Sequence, residues 1–131
     1  MVGEWTGVLG EGRGKIGDRS PIPLDLAVDA DGRVFVHLGE QSWTLLNDVE
    51  LEEDDCNGGC LRGTFQGDRR TMDTNRRDYS MLLELRRYDP GNGDNDMSLL
   101  CGSCVALSTN NDDDVRLGNA LTDFVLLQKQ G

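Results

Sequence analysis

From Ile22 to Val28 every second residue is aliphatic, with Pro23, Asp25 and Ala27 between Ile22, Leu24, Leu26 and Val28. A period of two turns one face of an extended strand toward a dry interior and the other toward water. The same alternation returns in Val34, Val36 and Leu38, after Asp29-Ala30-Asp31-Gly32. The Asp-Gly step there favours the positive φ angles of a tight turn, so the two runs predict a hairpin.

The rest of the chain repeats this design. Trp43, Leu45, Val49 and Leu51 share one phase, as do Leu61, Gly63 and Phe65, and then Tyr79, Met81, Leu83 and Leu85. Residues from Met97 to Leu107 are apolar on both phases, which suits a strand covered on both sides. A last strand covers about Leu121 to Lys129, and a first one runs from Glu4 to Leu9. With 17 glycines and 3 prolines punctuating these runs, the chain predicts an all-β fold of about eight antiparallel strands in a meander. The 131 residues suit one domain, a closed or nearly closed barrel, with a β-sandwich as the alternative.

Three strands share a local pattern: Trp5-Thr-Gly7-Val-Leu9, Leu61-Arg-Gly63-Thr-Phe65 and Leu100-Cys-Gly102-Ser-Cys104. A glycine on an inner face lets a sheet bend sharply or a neighbouring strand come close, as barrel closure requires. The opening Gly3-Glu4-Trp5 resembles the Gly-x-Trp start of calycins, the lipocalin and avidin type of up-and-down barrel. That resemblance implies a tryptophan plugging one end of the barrel. It carries over neither ligand class, because later lipocalin signatures and the further tryptophans of an avidin biotin pocket are missing.

The net charge of −11, from 24 acidic and 13 basic residues, opposes phosphate backbones and anionic membrane surfaces. Nucleic acid and membrane are therefore not expected partners. No apolar run is long enough to span a bilayer as a helix and no leader pattern opens the chain, so the sequence as written suggests a cytoplasmic protein. In a meander, alternate connections fall at alternate ends of the sheet. Asp29 to Gly32, Glu52 to Asp55 and Asp89 to Asp96 then make one end acidic. The other end receives the longer connections, with Arg13, Arg19, Arg69, Arg70, Arg76 and Arg77, and is the expected binding mouth.

Two cysteine pairs, Cys56 with Cys60 and Cys101 with Cys104, have spacings that zinc could use if each pair lay on a turn. The Asn-Gly-Gly loop places Cys56 opposite Cys60, whereas Cys101 and Cys104 point to opposite faces of a regular strand. Buried thiols, or a disulfide between Cys56 and Cys60, are the competing readings. The oxygen-rich run from Asp89 to Asp96 suits calcium but lacks the spacing of an EF-hand. His37, the one histidine, falls on the outer phase with no nucleophile beside it, and no catalytic residue is assigned. Trp5 and Trp43 are both expected in the core. The chain is thus expected to be a non-catalytic ligand-binding or protein-interaction module, with self-association open. The alternatives are a metal-stabilised structural domain, using zinc or calcium, and a carrier of small apolar ligands.

Overall fold

A computed structural model describes residues 1–10, 21–53, 58–70, 76–89, 98–108 and 120–130, with the backbone alone for 68–70, 76–78, 108, 120 and 121. Nine antiparallel strands form one sheet: β1 (Gly3–Gly10), β2 (Ile22–Val28), β3 (Val34–Leu38), β4 (Thr44–Leu45), β5 (Asn47–Glu52), β6 (Cys60–Arg70), β7 (Arg76–Tyr88), β8 (Leu99–Ser108) and β9 (Ala120–Lys129). Their spatial order is β4-β3-β2-β1-β9-β8-β7-β6-β5. The two outermost strands, β4 and β5, are separated in sequence by Leu46 alone, so the chain itself joins the two edges of the sheet. The result is a nearly closed up-and-down barrel, all-β as the alternation predicts.

The β2–β3 hairpin shows how local chemistry sets register. The Asp29 amide bonds to the Arg33 carbonyl at 3.0 Å, and the Gly32 amide to the Asp29 carbonyl at 3.2 Å. Gly32 takes φ +82°, but no other residue of this turn has a positive φ. This is a three-residue loop, a type I turn followed by a left-handed glycine, rather than a two-residue primed turn. Asp29 selects it, because its Oδ1 accepts the amides of both Asp31 and Arg33 at 2.9 Å. Counting away from that turn, Asp25 faces His37 and Leu26 faces Val36.

One face of every long strand lines the interior. Trp5 and Leu9 from β1, Leu24 and Leu26 from β2, Phe65 from β6, Leu83 from β7, Leu100 from β8 and Leu127 from β9 belong to a single buried cluster. Burying a side chain of this size contributes roughly 1.5–3 kcal/mol. Trp5 is closed over from two sides: its Nε1 donates to the Met1 carbonyl at 3.0 Å, and Lys129 Nζ lies 5.9 Å from its ring centroid.

The three inward glycines stand where neighbouring strands press close. A Cβ on Gly7 would lie 1.9 Å from the Leu126 carbonyl oxygen, and one on Gly102 would lie 1.9 Å from that of Glu84. On Gly63 it would meet Leu46 Cδ2 at 2.4 Å. At Gly7 and Gly102 the obstruction is backbone and only hydrogen fits, whereas at Gly63 it is the end of the Leu46 side chain.

Two expectations are corrected. The stretch from Trp43 to Leu51 is not one strand of constant phase: β4 pairs with β3, whereas β5 pairs with β6. A register shift between Asn47 and Glu50, with Asp48 at φ 52°, displaces the alternation, so that Leu46 is buried while Trp43 and Leu45 are exposed. A bulge adds one residue, and one residue exchanges inside for outside. Trp43 is therefore not in the core. The second correction concerns β8, whose two apolar phases led to the expectation that both faces are covered. Its inner face is buried, but its outer face is half-buried to exposed.

Candidate functional site

The meander sorts the connections between the two ends of the barrel. The β2–β3, β5–β6 and β7–β8 connections share one end, where nearby donors hold the carboxyls of Asp29, Glu53 and Asp89 below their ordinary values. Hydrogen bonds from the Arg33 amide and side chain hold the Asp29 carboxyl below its ordinary value. Ser98 Oγ donates to Asp89 Oδ1 at 2.6 Å and, with Arg87, lowers that carboxyl. The chain's amino group does the same for Glu53. Each depressed carboxyl favours the fold above its ordinary pKa, a contribution lost as pH falls through the folded value.

The opposite end carries the β6–β7 hairpin. Asp68 faces Asp78, Arg69 faces Arg77 and Arg70 faces Arg76. The last pairing of β7 with β8 is Tyr79 with Ser108, and that of β6 with β5 is Thr64 with Asn47. Past these points the two strands pair only with each other among the described residues; Phe65 still belongs to the core, and Asp68 to Arg70 with Arg76 to Asp78 form a two-stranded ribbon. Of the six arginines expected at the binding mouth, the register sets Arg69 beside Arg77 on one face of the hairpin, and Arg70 beside Arg76 on the other, which also carries Asp68 and Asp78. Arg13 and Arg19 lie outside the described residues.

The cysteines are spread. Cys104 is buried in the core, Cys101 is on the outer face of β8 and Cys60 on that of β6, and Cys56 lies outside the described residues. Cys60 and Cys101 each face Arg86, one from either side. No group of three or more His, Cys, Asp or Glu side chains suited to a metal ion occurs among the described residues. Of the oxygen-rich run considered for calcium, Asp89 is described, whereas Asp94 and Asp96 lie outside the described residues.

A line of side chains that alternation alone does not join runs across the outer wall. Thr6 Oγ1 donates to Asp25 Oδ1 at 2.5 Å, Asp25 Oδ2 meets His37 Nδ1 at 3.2 Å, and the His37 ring stacks on Trp43 at 5.1 Å between centroids. The signal was present: Asp25 and His37 lie four residues before and after the hairpin pair Asp29 and Arg33, so a count from the turn sets them opposite. Asp123 was also passed over; it is buried on the inner face of β9, opposite Cys104. Its place two residues before Val125 and four before Leu127 predicts that side.

Among described residues no helix is long and apolar enough to cross a membrane. Compared with family models, with curated proteins and with solved structures, the chain matches none.

Proposed function

We propose that the chain is a non-catalytic binding module that takes an acidic segment of a protein partner on the β6–β7 ribbon. The observation that carries the reading is the register of that ribbon, with Arg69 opposite Arg77 and Arg70 opposite Arg76. Like charges facing each other across a strand pair weaken it. Departures from local consistency of this kind gather at functional sites, and an anionic partner would relieve the repulsion. Arginine suits the task because its planar fork binds carboxylates through two parallel hydrogen bonds.

The filled interior supports recognition on the outside over carriage of a small apolar ligand within, since Trp5, Phe65 and the inward leucines occupy the space. The net charge of −11 opposes nucleic acids and acidic peptides alike, so the attraction rests on the local arginines. The up-and-down order and the buried Trp5 are those of a calycin-like barrel, and we read the architecture in that way.

A fluorescein-labelled oligoglutamate peptide, followed by fluorescence anisotropy, tests the reading. Saturable binding is expected, weakened at least about tenfold by Arg69→Glu with Arg77→Glu, since each charge-assisted hydrogen bond contributes roughly 1.5–3 kcal/mol. Added salt should weaken it as well. Absence of binding, or equal binding by the double variant, would rule the reading out.

A further inference from the structure

From Leu99 to Leu107 on β8 and from Thr122 to Gln128 on β9, no outward position carries a charge. Elsewhere the outer wall is charged, with Glu4 on β1, Asp25 on β2, Glu50 on β5, Arg62 on β6 and Glu84 on β7. The uncharged face is also strongly apolar. Phe124 is 69% exposed and Leu126 50% exposed, and Val8 on β1, also exposed, stands opposite Leu126. Leu82 and Val105, paired across β7 and β8, extend the face on its other side. An exposed apolar surface continuous over four strands marks an interaction site.

We propose that this face joins two copies of the chain in a side-by-side, antiparallel dimer. Two bodies of net charge −11 repel, and contact costs least where neither presents charge. A two-fold axis lying in the contact plane matches the face to itself, and it has two settings. Parallel to the barrel axis, it sets the two acidic ends together. Perpendicular to the barrel axis, it sets Asp29, Asp31, Glu53 and Asp89 of one copy toward the end of the other that carries Arg69, Arg70, Arg76 and Arg77, twice over by symmetry. Charge complementarity selects the second setting. The inference rests on the uncharged face and on where the arginines stand, and does not depend on their binding a separate partner.

Sedimentation equilibrium at about 100 μM, where mass action favours even a weak dimer, reads the state directly. The expected mass is twice 14.4 kDa. Phe124→Asp and Val8→Glu should each restore the single-chain mass with an unchanged far-ultraviolet circular dichroism spectrum. Iodoacetamide should modify Cys101 several-fold more slowly in the native chain than in Phe124→Asp, with Cys60 unaffected. Arg69→Glu with Arg77→Glu should weaken the dimer several-fold. A native chain of single mass, or a dimer that survives both Phe124→Asp and Val8→Glu, would overturn the proposal. A dimer strengthened by the arginine reversal would overturn its antiparallel setting.

Discussion

Gly7→Ala is expected to cost more than about 4 kcal/mol, a loss reserved for a short list of structural causes. The added Cβ would stand 1.9 Å from the Leu126 carbonyl oxygen and 2.9 Å from Leu127 Cα. Both atoms are backbone, so no side chain can swing aside, and β9 would have to move away from β1. That motion strains the ladder that closes the barrel, in which Gly7 faces Leu127 and Val8 faces Leu126. Ordinary overpacking costs about 1–3 kcal/mol when side chains and backbone can adjust. Here the obstruction is a strand, and the larger figure applies. Gly102→Ala should behave alike, since its Cβ would meet the Glu84 carbonyl oxygen at the same 1.9 Å. Ser103→Ala, one position on and facing outward, should be nearly neutral. Urea unfolding of the three variants checks this, and a Gly7→Ala protein within about 1 kcal/mol of native would show that β1 and β9 do not approach in this way.

The two tryptophans should separate as sharply. Trp5 is 0% exposed, whereas Trp43 is 50% exposed and stacks on His37 at the surface. Trp5→Ala removes a large core side chain, together with the hydrogen bond to the Met1 carbonyl and the contact with Lys129. It should cost about 3–5 kcal/mol. Trp43→Ala opens no cavity and should cost less than about 1 kcal/mol. Thermal unfolding gives the stabilities, and fluorescence gives an independent reading. The protein lacking Trp43 should emit at short wavelength and resist acrylamide quenching, and the one lacking Trp5 the reverse. Equal costs would return Trp43 to the core.

Those residues also show how far the sequence can be read. The alternation in β2 and β3 and the Asp29 to Gly32 turn are local, and they yielded the hairpin. The three inward glycines were legible because each sits between two large residues of one phase, and all three meet a neighbouring strand. The sorting of connections by end followed from the meander alone. Trp43 was misplaced because a bulge near Asp48 exchanges the phases, and a bulge has no periodic signature. The second apolar phase of β8 looks like a buried surface, since composition alone does not tell an exposed apolar face from a core.

The arginines of the candidate site were legible as a cluster. Their pairing was not, because which arginine faces which depends on the register across a turn that the sequence does not specify. The Asp25–His37 pair was within reach, given a count from the hairpin.

Closure of the barrel underlies all of this, since it fixes which residues face inward, which end gathers the arginines and why β8 and β9 present an uncharged wall. Cross-strand nuclear Overhauser effects between β1 and β9 in an isotope-labelled sample test it most directly. The account predicts contacts from the backbone of Gly7 and Val8 to Leu126 and Leu127, alongside those from β1 to β2. A spectrum in which β1 touches β2 but never β9 would mean an open sheet, and would contradict it.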